Sequence, residues 1–596
     1  MVSGSAIGTL VVFILSIICV IRPLSFPILL PVVGRKRIHL NLTTAPIIAI
    51  LILWAAQCLG PSVIRDGIVG TDGVKPYNIL ILFFSLAYMA ITLDITGILQ
   101  AAAFWVSNKG GSDGWKLFIY FYMMLTALSV LLGNDPVILS GTAFLVYYTK
   151  VNELEPIAWL MSEFAAANTA SMVLFVGNPT NVVVCEGFRI NNAAFTAYTI
   201  LPFLACIITS FIALAAQFHK SKYLPRRLAN SGDLDVRSVL LDPRSAWVGS
   251  ILLGTCLVVI IIVSFFHVDV WKISLPFAVA KFVYDFAWDH YRHVHKIPLM
   301  GQARAKTSDE DLTEIENNLV LQELSQKHRS SVQSADVSKA YPEGYPLPER
   351  LVTFDSELNP PIVPSATQTR TNTRSNTQMT ARTATTLAPS LRQPPEHAPT
   401  APFPTFQKIY NKAHSLRHRF ATHFPTFYTA FPRLPFALVP FAFSQFILIE
   451  ALAHQGWIEI FARWLVIATG RLMYPTVWVI GVLGVILCNL SGTNIGATIL
   501  LTKIVRAAIL SAPADTDVNL DAFNRAAGIA LAVASNIGAV SFTFSASLAG
   551  LLWKQILNQK GIFIKQWVFA KWNLLPLTVM TVVGLAVVSA EMAVLF

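Results

Sequence analysis

Charge is scarce in this chain: Asp, Glu, Lys and Arg make up 13% of its 596 residues, against the roughly 25% usual in a soluble domain. Cysteine is scarce as well, and the six present (Cys19, Cys58, Cys185, Cys206, Cys256 and Cys488) show no CxxC spacing and no cluster in a polar segment. Neither a disulfide framework nor a metal knuckle is indicated, and the donor types define no metal site. No GxxxxGK[ST] stretch occurs, so ATP chemistry would have to come from a separate partner, and no cofactor is expected. The formal net charge of +11 sits in short connectors and one polar insert instead of interleaving with aromatics, which argues against nucleic acid as a partner.

Apolar residues are abundant instead. They reach 54% and cluster into stretches near the 17 to 25 residues that cross about 30 Å of hydrocarbon. The expectation is an all-α polytopic membrane protein in contact with lipid. Residues 5–21 lack a basic n-region and run into Arg22 and Pro23, so they read as a retained helix, not a cleaved signal. Further crossings are expected at 42–60, 78–104, 156–186, 198–218, 246–266, 271–288, 435–452, 525–552 and 570–590. Four segments follow: an N-terminal helix and connector (1–41), a first membrane half (42–288), a largely disordered insert (289–428) and a second membrane half (429–596).

Two long apolar stretches are interrupted by polar residues. In 116–150 the interruption is Gly133-Asn134-Asp135-Pro136, and in 473–508 it is Asn489-Leu490-Ser491-Gly492-Thr493-Asn494. Each reads as two helical arms meeting at a polar tip, a re-entrant hairpin. Two other helices carry polar breaks, Val176 to Asn181 and Ala534 to Ala539, and an acid closes an apolar helix in each half, Asp94 and Glu450. The order of devices therefore repeats, which predicts two inverted repeats with re-entrant hairpins and discontinuous helices.

Where half-helices meet inside a membrane, their unpaired backbone groups need a ligand, water or protein partner, and such junctions make ion and solute sites. Side-chain amides and hydroxyls offer donors and acceptors without charge, suited to reversible binding. The candidate lining is Asn134, Asp135, Asn178, Thr180, Asn181, Ser491, Thr493, Asn494, Ser535 and Asn536. Asp135 leads the candidates for coupling to a proton or sodium gradient, because an intramembrane carboxylate is costly unless paired, hydrated or used. Its other reading is a helix cap. Asp94 and Glu450 are further coupling candidates whose other reading is a solvated helix end.

Gly177-Asn178-Pro179-Thr180-Asn181 and Ser491-Gly492-Thr493-Asn494-Ile495-Gly496-Ala497-Thr498 carry a resemblance. Over 42–288 and 429–590 the chain resembles the arsenite-pump and sodium/proton-antiporter branch of the ion transporter superfamily, which also holds citrate and dicarboxylate carriers. The resemblance implies a secondary transporter, not an enzyme, with a mobile domain of hairpins and unwound helices, elevator-like alternating access and a scaffold that often dimerises. It implies arsenite-like efflux or ion/proton antiport of a small inorganic solute, with organic anion transport as the second reading. A membrane-embedded structural or partner-binding protein is the alternative from another class. The first tip, Gly133-Asn134-Asp135, departs from the Ser-Asn-Thr signature of the dicarboxylate branch. A plasma membrane setting is expected ahead of a vacuolar or other internal one.

Basic residues at 35–37 and at Lys220, Lys222, Arg226 and Arg227 fall on one side when 116–150 is counted as a hairpin. That side is the cytoplasm by the positive-inside bias, and it receives the insert. Arg471, Lys503 and Arg506 then fall near the outer face, against the bias. Within the insert a short helix is expected near 311–326, and the Ser/Thr/Pro-rich tract of 360–404 lacks the apolar residues for a core. Cysteines placed singly at Ser334 and Thr386 should react with a membrane-impermeant thiol reagent from the cytoplasmic face. Reaction only from the other face reverses the assignment.

Overall fold

The computed structural model describes residues 3–30, 34–71, 73–228, 234–266, 268–297, 404–513 and 519–596. The chain divides into two compact units, 1–308 with 415–596, and 309–414. The first unit is described below. Most of the insert, including the helix expected near 311–326, lies outside the described residues; its described ends, 289–297 and 404–428, are largely helical.

The chain is an all-α polytopic membrane protein, and among its described residues eight helices are long and apolar enough to cross a bilayer. Helix α1 (Gly4–Ile21) leads into a small antiparallel ribbon, β1 (Leu24–Leu30) and β2 (Gly34–Leu40), in which Leu24 faces Leu40. The sequence alone marks this stretch as a connector, without its strands. The expected crossing at 42–60 is absent: α2 (Thr44–Ala55) has 12 residues, about 18 Å of helix, and stops before Gln57, which takes a left-handed φ of 57°. Pro61 then opens a separate helix, α3 (Pro61–Val69), since proline lacks only an N–H that the first turn leaves unpaired.

The stretch expected as one crossing at 78–104 also divides. Helix α4 (Pro76–Ile95) ends at Gly97, whose φ of 84° turns the chain into α5 (Ile98–Gly110). After α5 come α6 (Gly114–Leu132), α7 (Asn134–Val151), α8 (Pro156–Ala170), a short 3-10 turn (Phe175–Gly177), α9 (Pro179–Phe188) and α10 (Asn192–Gln217). Then follow the single turn α11 (Val236–Val239), α12 (Pro243–Val263) and α13 (Trp271–Val294). Beyond the insert lie α14 (Pro404–His423), α15 (Pro425–Ala430), α16 (Leu438–His454), α17 (Trp457–Thr469), α18 (Met473–Leu490), α19 (Asn494–Leu510), α20 (Leu520–Ile537), a second 3-10 turn (Phe544–Ala546), α21 (Leu548–Gln559) and α22 (Gln566–Leu595).

The order of elements from α4 to α10 recurs from α16 to α22. Gly456, with φ 79°, follows α16 as Gly97 follows α4, and the helix after each glycine has 13 residues. Next come two helices joined at a tip, a helix broken by a 3-10 turn, and a long helix with proline inside, Pro202 in one half and Pro576 in the other. The halves interlock. Helix α7 packs on α21 and α19 packs on α9, so the second arm of each pair meets the post-break helix of the other half. Helices α10 and α22 run along each other, with Cys206 Sγ 3.5 Å from the Met580 carbonyl, Gln217 Nε2 donating to the Trp572 carbonyl at 2.9 Å and Phe218 stacked on Trp572.

Helix α13 carries a buried polar stripe where 271–288 reads as an ordinary crossing. Lys281 pairs with Asp285, which also accepts from Tyr88 of α4 at 3.0 Å, and Arg292 meets Asp242 at 3.2 Å. Asp289 accepts from the backbone and hydroxyl of Thr426 at 2.9 and 3.0 Å, tying α13 to the start of α15. At the loop before α13, the hydrogen bond from Lys272, with Lys75 nearby, holds the Asp269 carboxyl below its usual range.

Close helix contact has a direct test. A Cβ on Gly67 of α3 would lie 2.6 Å from Ile447 Cα of α16, a clash with backbone, whereas one on Gly254 of α12 meets nothing within 4 Å. Gly67→Ala should destabilise the detergent-purified protein by about 1–3 kcal/mol, as overpacking does, while Gly254→Ala leaves its thermal unfolding unmoved. Equal behaviour of the two variants contradicts this packing.

Candidate functional site

Both broken helices pass through the interior, and side chains take up the backbone groups that each break releases. In the first, Asn178 caps α9 by accepting from the Thr180 N–H at 3.2 Å. Asn181 donates to the Ser171 and Leu174 carbonyls, both at 2.9 Å, and Thr199 of α10 donates to the Val173 carbonyl at 3.2 Å. In the second, Ser547 caps α21 through the Gly550 N–H at 3.0 Å. Asn489, on the last turn of α18, accepts from the Phe542 and Thr543 N–H groups at 3.1 Å each, and Asn573 of α22 donates to the Ser541 carbonyl at 3.0 Å. Thr199 and Asn573 thus do the same work from the two long helices. Buried backbone polar groups demand such partners, above all in a membrane.

The two breaks meet at Asn536. Its Oδ1 accepts from Ser171 Oγ at 3.0 Å and Asn178 Nδ2 at 3.3 Å, while its Nδ2 donates to Asn181 Oδ1 at 2.7 Å. Beside it Ser535 Oγ lies 3.3 Å from Thr180 Oγ1, and Asn494, the first residue of α19, donates to the Ser535 carbonyl at 3.3 Å. All of these side chains are buried. Six residues picked out from the sequence, Asn178, Thr180, Asn181, Asn494, Ser535 and Asn536, therefore form one network drawn from both halves.

The other predicted residues have different surroundings. Asn134, at the first tip, donates to Asn168 Oδ1 of α8 at 3.1 Å. Next to it Gly133 (φ 82°) lies so close to the Gly177 carbonyl that a Cβ would approach to 2.9 Å, which seats the first tip on the first break. Ser491 donates to the Leu487 and Thr493 carbonyls, and Thr493 caps α19 through the Gly496 N–H, so both are bonded to their own tip. Asp135 is half-buried in the first turn of α7 and, among the described residues, has no side-chain hydrogen bond or ion pair. Asp94 pairs with Arg433 at 3.5 Å, and Glu450 with Lys503 at 2.6 Å and Thr71 at 3.0 Å. Those two acids stand in ion pairs outside the amide network, and they are out of register with each other: Asp94 precedes Gly97 by three residues, Glu450 precedes Gly456 by six.

Sequence reasoning missed Asn168, Ser171, Asn489, Asn573 and Ser547. It also paired the wrong segments: Val176 to Asn181 begins a helix after its break, whereas Ala534 to Asn536 still belongs to α20, ahead of its break. The counterpart of Asn536 is Asn168, near the end of α8, and the counterpart of Asn178 is the cap Ser547. The available signal was the aromatic residue that opens each 3-10 turn, Phe175 and Phe544, three residues before each cap.

At the network the N-terminus of α9 meets the C-terminus of α20, with the N-terminus of α19 alongside, so backbone donors and acceptors converge. No lysine or arginine hydrogen-bonds to these six side chains among the described residues. A narrow crevice opens between α3, α16, α9 and α19, lined by Asp66, Glu450, Lys503 and Arg506. The geometry offers neutral hydrogen-bonding groups inside and charge at the crevice.

Residues 4–321 match the citrate transporter family profile, more than half of the chain. The chain belongs to that family. This family member is also similar to arsenical pump membrane proteins of Escherichia coli: 25% identity over 183 residues, 30% of this chain and 42% of the relative, and 24% over 171 residues in strain K12, 28% and 40%. A 46 kDa membrane protein of Mycobacterium leprae is 22% identical over 170 residues, 28% of this chain and 39% of the relative. The matched part of the chain spans under half the length of each of these relatives.

In this citrate transporter family member, Asn536→Ala strips partners from Ser171, Asn178 and Asn181 at once. It should lower stability by about 1–3 kcal/mol, the usual result of leaving buried polar groups unpaired. Thermal unfolding in detergent measures it, and an unchanged midpoint contradicts the network.

Proposed function

We propose that this integral membrane protein is a secondary transporter of a small solute bound where the two broken helices meet, with arsenite-like species first. The observation that carries this reading is the buried network on Asn536, built from neutral amides and hydroxyls of both halves. Such groups suit a solute that is itself small, polar and uncharged. Arsenous acid, an uncharged trihydroxide at neutral pH, has that chemistry, and the relatives named arsenical pump membrane proteins agree with it. Ion/proton exchange is the companion form of the same reading.

An organic anion such as citrate is the second reading. It is favoured by the family description and by the helix N-termini at Pro179 and Asn494, whose N–H groups and dipoles attract carboxylates. Support for two inverted repeats comes from the recurring element order, and we take the tips and broken helices as the moving part of an elevator-like cycle in the plasma membrane, with dimerisation through the remaining helices. Asn178→Ala and Asn494→Ala are expected to impair solute binding while preserving insertion.

Coupling falls to Asp135. It stands at the tip beside Asn134, half-buried and without a cation, whereas Asp94 and Glu450 are held by Arg433 and Lys503. A carboxyl at membrane depth is costly unless protonated or joined by a cation, with translocon scales giving about 2.5–3.5 kcal/mol for aspartate, so its occupancy biases movement of the tip. Asp135→Asn keeps the size but cannot exchange the proton. Flux of arsenite and of citrate into proteoliposomes, under separately imposed pH, sodium and voltage gradients, tests both parts. The expected result is saturable arsenite flux whose gradient dependence disappears in Asp135→Asn. Full retention of every gradient dependence contradicts the coupling role, and citrate flux without arsenite flux moves the substrate to the second reading.

A further inference from the structure

Glu163 lies in the middle of α8 with no exposed surface and takes no part in the amide network at the breaks. Its Oε2 accepts from the Thr142 hydroxyl of α7 at 3.0 Å, and its Oε1 has no hydrogen-bond partner. Space for that oxygen exists because residue 141 is glycine: a Cβ there would stand 2.5 Å from Oε1. The indole N–H of Trp553, on α21, is equally buried and equally unpaired, close to the same carboxyl without bonding to it. Three helices thus surround an acid with a hydroxyl, an indole and apolar groups.

We infer that Glu163 is a proton-binding site of the transport cycle, loaded with its proton while α7 packs on α8 and emptied when the first hairpin opens from α8. An ionised carboxylate enclosed this way, with only a hydroxyl and a nearby indole N–H as neutral donors and no cation, carries a penalty of several kcal/mol, whereas the acid form carries no charge to desolvate. The facing groups agree. Helix α6 presents Leu125, α7 presents Gly141 and Thr142, and α21 presents Trp553, while α10, α20 and α22 bring no charged group to bear on the carboxyl among the described residues. Lys554, next to Trp553, lies over the Phe544 ring instead.

The inference rests on the transport reading above and gives it a route for coupling. Helix α7 carries Asn134 and Asp135 at its first turn and Thr142 about 12 Å further along, and α8 answers with Asn168 and Glu163. One rigid arm therefore joins the solute site to the acid. When that arm parts from α8, water reaches Glu163, its O–H bond breaks, the electron pair stays on the oxygen and the proton passes to water. Reclosure requires the reverse step, so Glu163 releases and rebinds one proton each time the arm opens and closes.

Infrared spectroscopy of the purified full-length protein in lipid nanodiscs tests this without needing a known solute. The parent should show the C=O band of a protonated carboxylic acid that Glu163→Gln removes and that fades as pH is raised. In proteoliposomes the same substitution should abolish stimulation of arsenite flux by a pH gradient. A band missing from the parent, or one that persists at every pH at which the protein stays folded, overturns the inference. So does a pH-stimulated flux that survives Glu163→Gln. If the parent transports neither arsenite nor citrate, the transport reading fails and the pH-dependent band alone decides whether Glu163 exchanges a proton. Should Glu163→Gln not fold, Glu163→Asp replaces it: the acid band should shift in frequency, and an unshifted band assigns the proton to another residue.

Discussion

A backbone that leaves its helix inside a membrane must find partners for every N–H and C=O it frees, and that demand shapes the centre of this molecule. The chain answers twice with the same parts. Asn181 and Asn489 each bridge two backbone groups of a break, Asn178 and Ser547 cap the helices that resume, and Thr199 and Asn573 reach in from the long helices α10 and α22. Asn536, with Ser535 beside it reaching Thr180, joins the two breaks through side chains.

The division of charge follows from the same constraint. Near the breaks the polar groups of the network are neutral, while several ionisable groups elsewhere are met by counter-charges: Lys281 with Asp285 on α13, Arg292 with Asp242, Arg433 with Asp94 and Lys503 with Glu450. Removing one partner of such a pair leaves a buried charge exposed to the full desolvation penalty, which explains why they occur as pairs. Among the described residues, Asp135 and Glu163 are acids near the first hairpin with no counter-charge: one is half-buried at the tip, the other is enclosed behind it. Helix α7 carries the first of these carboxyls and meets the second through Thr142.

Much of the fold was legible from hydropathy alone. Long apolar runs located α1, α10, α12 and α22, and the polar interruptions at Gly133 and at 491–493 marked both tips. Hydropathy does not register a left-handed residue, so the ends at Gln57 and Gly97 passed as continuous helix, and α13 passed as a plain crossing because its Lys281 and Asp285 lie on one buried face. In the site, Asn178, Asn181 and Asn536 were legible because amides are rare in apolar runs. Asn168 and Glu163 were not, since both lie inside a helix expected to continue to 186 and nothing in the linear order marks which face meets α7.

A solute bound at the junction of the broken helices, as proposed above, would cover the backbone groups freed there. Hydrogen exchange of the protein in nanodiscs, followed by mass spectrometry with and without a saturating transported solute, addresses this most directly. The expected result is added protection concentrated at 171–181, 491–496 and 536–550, where the freed backbone groups lie. Protection confined to the crevice beside Lys503 and Arg506, with those three segments unchanged, contradicts it.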